Sequence, residues 1–203
     1  MPNRDGSGSL VQTPGKIDIQ LATSRDGIHW HRAPGRKPFI CLGPEGTFWS
    51  GMVFTRSRCF RMGDDLWFFF SGYNISHSGA ELDFIKPERG AGRAVLRLDG
   101  FISADSAYTG GELITRPLIF SGRKLELNVA TGAGGTVKVE IQDEAGKPIK
   151  GFTEADADEI NGNYIRVPAS WDRSTDVAGL AGKPIKIRFL MRDCKLYAFQ
   201  FVE

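Results

Sequence analysis

Apolar and polar residues alternate with a period of two through much of this chain, and glycine-rich turns break the alternation at short intervals. In TVKVEIQ, residues 136–142, Val137, Val139 and Ile141 fall on one side and Lys138 and Glu140 on the other. In PIKIRFLM, residues 184–191, Ile185, Ile187 and Phe189 repeat the pattern. A strand turns successive side chains to opposite faces, whereas a helix repeats every 3.6 residues, so these runs predict strands with one dry and one wet face. With 25 glycines in 203 residues and no sustained helical period, the sequence reads as all-β, rich in turns. Two stretches, residues 153–159 and 174–182, suit single helical turns.

The amino-terminal half reads as hairpins. KIDIQLATS alternates, with Ile17, Ile19 and Leu21 on one side, and is followed by Asp26-Gly27, a hairpin signal because type I′ turns need positive φ. The chain then returns through Ile28 and Trp30, and Trp30 and Trp67 are expected in hairpin cores, with His29 and His31 on the surface. GMVFTRSRCFRM alternates, turns at Gly63-Asp64-Asp65, and leads into LWFFFSGY. That aromatic run suits an inner strand buried on both faces. Residues 84–93 read as a loop, and 94–106 as strand, Asp-Gly turn and strand. At the carboxyl end KLYAFQF continues the alternation, with Leu196, Ala198 and Gln200 opposite Tyr197, Phe199 and Phe201.

Charge excludes some classes of partner. The 26 basic and 24 acidic residues are interspersed and the net charge is +2, so nucleic acid is not an expected ligand. The densest basic run, Arg56, Arg58 and Arg61, is read as a solvated strand face. No segment is long and apolar enough to cross a membrane. The first residues lack the apolar core of a signal peptide, so the chain is either cytoplasmic or a piece of a secreted protein. Cys41, Cys59 and Cys194 show no zinc spacing. Buried or semi-buried free thiols are expected, with a Cys41–Cys59 bridge left open.

The motifs IDIQLATSRDGIHWHR, KPFICLGPEGTFWSGMVF and DDLWFFFSGY resemble the last blades of five-bladed β-propeller glycoside hydrolases, families 32 and 43 and their kin. RAVLRLDGFISADS, GELITRPLIFSG, VEIQDEAGKPIKGF and LAGKPIKIRFLMRDCKLYAFQF are similar to the β-sandwich appended to such propellers. Residues 1–15, polar with Gly and Pro, read as a flexible segment; the alternating strands read as a carboxyl-terminal antiparallel β-sandwich over 96–203, which the resemblance supports, and the resemblance implies a blade-like β region over 16–95. A blade takes about 40–50 residues, so at most two fit. In that family the nucleophilic or stabilising Asp comes from the first blade and the general acid from a middle one. The implied function is therefore the carboxyl-terminal segment of a carbohydrate-active hydrolase, catalytically incomplete alone. The alternative is a non-catalytic carbohydrate-binding or structural module. An orphaned hairpin exposing Phe68, Phe69 and Phe70 is expected to bury its open edges against another copy of the chain or against the sandwich, with a homo-oligomer, most simply a symmetric dimer, favoured.

Glycosidases need two carboxyl groups flanking the bond, and no such pair is evident. Asp26 and the Asp64-Asp65 pair are read as turn residues. Glu45 lies on a loop that would line a propeller mouth. Trp49 and Tyr73 would stack on sugar rings, since a pyranose offers an apolar face to an aromatic ring. By the resemblance, His77 would sit near the propeller axis and hold a central ion or water. No cofactor is expected beyond a structural calcium, for which Asp172 and Asp176 with Asp156 or Asp158 would supply oxygens, though the spacing matches no EF-hand loop.

Overall fold

The computed structural model describes residues 15–78 and 86–203. They contain no α-helix, only strands, turns and two single 3-10 turns at Pro34–Arg36 and Ala178–Leu180. The fold is all-β, with propeller-like antiparallel hairpins followed by an antiparallel sandwich. The chain divides into two compact units, Met1–Leu96 and Arg97–Glu203.

The first unit begins with an interrupted hairpin. Strands β1 (Ile19–Gln20) and β2 (Ala22–Thr23) pair with β4 (Pro38–Ile40) and β3 (His31–Arg32) respectively. The link between β2 and β3 is a longer loop than the two-residue turn expected from Asp26-Gly27. Gly27 has φ 74° but Asp26 is not in the left-handed region. Asp26 instead accepts the Ile28 and His29 N–H groups at 2.9 and 2.8 Å. A type I′ turn needs positive φ at both central residues, and here the Asp side chain replaces it with a side-chain turn. Trp30 is 63% exposed, tied through its ring N–H to Gly27 O, and so is not the hairpin core residue that the spacing suggested.

The rest of this unit is a three-stranded meander. β5 (Met52–Thr55) and β6 (Phe60–Met62) pair with successive stretches of β7 (Asp65–Tyr73). Between them Arg56 N–H still donates to Phe69 O at 3.1 Å, so β5 and β6 run along one edge of β7 as one interrupted strand. Cys59 accordingly lies in the exposed interruption and not within a strand. β8 (Arg89–Arg97) pairs with the other edge of β7. The loop expected over residues 84–93 is thus a strand from Arg89 onward, while residues 84 and 85 fall outside the described residues. In β8 the even-numbered residues Gly90, Gly92 and Ala94 are all small. Gly90 and Gly92 lie where a Cβ would overlap Phe48 and Phe70, which seats this strand under the aromatic cluster.

Pairing assigns the two faces of the meander. Val53, Phe68, Phe70 and Ala94 share the inner face, covered by Ile19, Phe39, Ile40, Leu42, Phe48 and Trp49. Phe54, Phe60, Met62, Trp67, Phe69 and Tyr73 share the outer face, because Phe54 lies opposite Ser71 and Phe60 opposite Trp67. The run LWFFF is therefore buried on one face only: Phe70 is 9% exposed and Phe69 is 41% exposed.

The second unit is one sheet folded over itself. β11 (Lys124–Asp143) pairs along nearly its whole length with β13 (Ile185–Val202). β12 (Asn163–Pro168) adds to the far edge of β11, and β9 (Ala104–Ser106) and β10 (Gly111–Ile114) add to the far edge of β13. At about 3.3 Å per residue, Phe189 and Phe199 would stand roughly 33 Å apart on a straight strand. Their ring centroids are 5.4 Å apart. The sheet folds at a corner where Gly132 to Gly135 bulge opposite Asp193 alone, between the pairs Thr131–Cys194 and Thr136–Arg192. Such insertions bend a strand. Asp193 takes φ 43°, and Asn161 Nδ2 donates to Gly135 O at 2.6 Å and Thr131 Oγ1 at 3.1 Å.

The core of this unit joins Leu125, Leu127, Val129, Val137, Val139 and Ile141 of β11 to Ile185, Ile187, Phe189 and Leu196 of β13. Trp171 caps it, donating its ring N–H to Val139 O at 2.7 Å. Near the carboxyl end Asn128 pairs with Ala198 and Val129 with Leu196, leaving Tyr197 as an extra residue. That bulge restores phase, so Leu196, Phe199 and Phe201 all pack on one core despite their odd spacing. Of the two expected helical turns, Ala178–Leu180 is a 3-10 turn, and residues 153–159 form an irregular turn.

Candidate functional site

Of the four residues singled out in the first unit, Tyr73 lies at the end of β7 on the outer face, Trp49 packs over the inner face, and Glu45 and His77 lie on flanking loops. The loop from Gly43 to Gly51 folds back on this end: Gly51 N–H donates to Tyr73 O at 2.9 Å, and Gly43 N–H to Trp49 O at 3.1 Å. A Cβ on Gly51 would overlap the Ile75 backbone, and one on Gly72 would overlap Trp49. Glycine is thus required where loop and sheet backbones touch. Glu45 stands exposed on the tip of this loop. Trp49 does not face outward as an open platform. It is half-buried and packs edge-on against Phe48 and Phe70, with centroids at 4.7 and 6.4 Å. Tyr73 is half-buried, edge-on to Phe54 at 6.0 Å. His77 is exposed, its backbone N–H donating to Gly15 O.

Sequence reading passed over one acid at this end. Glu88 precedes β8 and sits opposite Asn74, whose N–H donates to Glu88 O at 3.2 Å, while Asn74 Oδ1 accepts the Glu88 N–H. Glu88 is exposed. Its signal was hidden because residues 84–93 lacked alternation until Arg89 was placed in a strand.

The second unit holds a charge cluster built around one buried acid, Glu140, that the period-two pattern assigned to solvent. Glu140 is 3% exposed and Gln142 7%. Arg188, paired across the strands with Glu140, reaches Glu112 at 2.7 Å, Glu140 at 3.4 Å and Glu154 at 3.5 Å. Burial pushes the Glu140 carboxyl up. Hydrogen bonds from Gln142, from Glu154 N–H and from Arg188 overcome that and leave it below the usual carboxylate range. Beside the cluster lies an open groove of about 360 Å³ lined in part by Thr136, Lys138, Glu154, Glu159 and Arg192. Arg192 also lies over the ring of Tyr108, at 5.6 Å, and Tyr108 is 68% exposed.

The aspartates considered for calcium are each engaged in their own loops. Asp156 accepts from Thr153 N–H and Oγ1, Asp158 from Ser170 Oγ and Arg173 N–H, and Asp176 from Ala178 N–H and Arg123. Asp172 donates its N–H to Asp156 O. Among the described residues no group of three His, Cys, Asp or Glu is placed to hold a metal ion. The three cysteines are free thiols, but the expected burial holds for Cys194 alone: Cys41 and Cys59 are exposed. Among the described residues no helix is long and apolar enough to cross a membrane.

No family model and no curated protein matches the chain. Among solved structures it is similar to a glycoside hydrolase family 43 arabinoxylan arabinofuranohydrolase from Bacillus subtilis, crystallised in complex with cellotetraose. The identity is 11% and the TM-score 0.29, over 99% of this chain and 49% of that one, so the chain spans about half that protein's length.

Proposed function

We propose that this chain is part of a carbohydrate-active protein of the glycoside-hydrolase kind, that residues 15–96 are propeller strands and 97–203 an accessory sandwich, and that the chain alone lacks a complete catalytic centre. The observation supporting this reading is the packing of the glycine-rich loop that carries Glu45 and Trp49 onto the Tyr73 end of β7, within the motifs that resemble propeller hydrolases. Incompleteness follows from the acids. A glycosidase sets two carboxyl groups across the bond and tunes one by burial to act as general acid. Among the described residues Glu45 and Glu88 are both exposed, so burial sets neither apart as the acid.

A second reading has its own observation. Exposed Tyr108, backed by Arg192 beside a polar groove, suits a non-catalytic sugar-binding module, since an aromatic face and convergent hydrogen-bonding groups are what a pyranose needs. One set of experiments separates the two. Reducing-sugar release is measured on aryl-glycosides and soluble polysaccharides, and binding by affinity electrophoresis in the same polysaccharides. Under the first reading there is no turnover, and binding weakens in Glu45→Gln and His77→Ala. Under the second it weakens in Tyr108→Ala instead. Turnover abolished by Glu45→Gln overturns the incompleteness, and no retardation in any polysaccharide overturns both carbohydrate readings.

A further inference from the structure

The hairpin of β2 and β3 ends in an apolar tip set among cations. Ile28 is 77% exposed and Trp30 63%, above every other large apolar side chain described in the first unit. The tip is held in shape. Asp26 accepts the N–H groups of Ile28 and His29, the Ser24 hydroxyl at 2.9 Å and the His29 ring at 2.5 Å. Trp30 donates its ring N–H to Gly27 O at 3.1 Å, which keeps the indole beside the turn. Residues 16–37 carry five basic residues, Lys16, Arg25, Arg32, Arg36 and Lys37, against two acids, Asp18 and Asp26. Arg25 stands in the tip, Arg32 below it on β3, and Arg36 and Lys37 further down on the 3-10 turn, while Asp18 lies away from the tip, before β1. Asp26 is taken up by His29 and the loop's own N–H groups. Among the described residues no carboxylate pairs with Arg25, Arg32, Arg36 or Lys37. Arg25 also borders an open cavity of about 450 Å³, lined by Thr23, Ser24, Arg25, Asp26, His29 and His31.

We propose that this tip docks on an anionic lipid surface, with Ile28 and Trp30 entering the headgroup layer and Arg25 and Arg32 held against lipid phosphates. The contact is peripheral: the hairpin rests on the bilayer and does not cross it. The proposal rests on the hairpin and not on the carbohydrate reading. Three observations select this occupant. The first is charge. Each Lys or Arg close to an anionic membrane strengthens binding about fivefold, and the cations here have no acid of their own to hold them back. The second is the apolar pair. A solvated polyanion such as a nucleic acid or a sulfated polysaccharide would meet the cations but leave Ile28 in water. A bilayer interface takes both, the aliphatic side chain at the acyl boundary and the indole among the headgroups, where Trp is enriched. The third is room for the headgroup. A guanidinium matches two phosphate oxygens by parallel hydrogen bonds, and the cavity beside Arg25 is open to receive them. Because Asp26 already fixes the loop, docking has little ordering left to do.

Co-sedimentation of the full chain with vesicles of phosphatidylcholine, alone and with one-third phosphatidylglycerol, is the test. Binding is expected on the mixed vesicles only, and is expected to weaken about tenfold or more between low and half-molar salt, because screening shortens the reach of the arginines. Arg25→Gln with Arg32→Gln is expected to weaken it about 25-fold, the product of two fivefold factors. Ile28→Ser with Trp30→Ser is expected to abolish it with unchanged far-ultraviolet circular dichroism, because neither side chain belongs to the packed cluster of this unit. Trp30→Phe is expected to keep the binding and to lose much of the quenching of tryptophan fluorescence by brominated lipid. Absence of binding to the mixed vesicles overturns the proposal. So does equal binding to neutral vesicles, or binding that survives the Ile28, Trp30 variant. Retention on heparin without vesicle binding assigns the cations to a soluble polyanion and overturns it as well.

Discussion

Single residues set the corner of the sandwich. Gly135 sits where a Cβ would overlap the Asp193 carbonyl oxygen, a backbone atom that no rotamer can move aside. Gly135→Ala is expected to destabilise the second unit by about 2–3 kcal/mol, the usual cost of forcing extra volume into a packed site, read as a lower denaturant midpoint with unchanged slope. Cys194, just past the corner, is 3% exposed. Burial, helped by Asp105 and Asp193, pushes its thiol from 9.0 up to about 11. The unfolded chain therefore ionises this thiol at lower pH than the folded one does. Stability from this group is present below about pH 9 and is lost as pH rises toward 11. Denaturation series from pH 8 to 11 are expected to fall more steeply for the wild type than for Cys194→Ala, which cancels the shared contribution of Lys195 and its neighbours.

At the scale of elements, the pairing of β11 with β13 carries the buried charge. Glu140 and Arg188 face each other across the strands, so their contact forms only when the register is right. A carboxylate left buried without its partners is costly, which makes a slipped register unfavourable. Glu140→Gln keeps the shape but loses the charge-assisted hydrogen bonds, an expected cost of about 2 kcal/mol at neutral pH. The folded carboxyl titrates below its ordinary value. Its contribution is thus complete above about pH 4.5 and is lost as pH falls through the depressed folded value. The stability difference between wild type and Glu140→Gln is expected to shrink below pH 4, as checked by urea unfolding at pH 3, 4 and 7. The meander obeys the same logic on one face only: Phe70 is held by Phe48 and Trp49, while Phe69 on the other face lies edge-on to Phe60 and stays 41% exposed.

For the whole molecule, the two units differ in how much core each possesses. Among the described residues the second gathers nineteen buried residues into one cluster and the first gathers three. Each fully buried aliphatic or aromatic side chain contributes on the order of 1.5–3 kcal/mol. A domain with a contiguous core of its own can in principle fold alone, and the second unit has such a core. Residues 97–203 expressed alone are expected to unfold in one cooperative transition, with near- and far-ultraviolet signals coincident. Non-coincident transitions, or substantial helix, would contradict this.

What the sequence alone determined is local. Period-two alternation identified the strands of the second unit and named Val137, Val139, Ile141, Ile185, Ile187 and Phe189 as its dry side, because neighbouring residues on a strand necessarily point opposite ways. Chain geometry requires no partner for that. It also located the loop holding Glu45 and Trp49 from its glycines. Only tertiary structure decided the rest. An unbroken run such as LWFFF has no phase, so nothing local says that Phe70 is covered and Phe69 is not. Lys138 and Glu140 look alike in an alternating pattern, yet Glu140 is buried because Arg188, forty-eight residues away, lies opposite it. Asp26-Gly27 fits a two-residue turn by composition, but the Asp side chain satisfied the backbone first. The corner in β11 and β13 arises between strands, where four residues face one, and a mismatch of that kind exists only once two distant segments have paired.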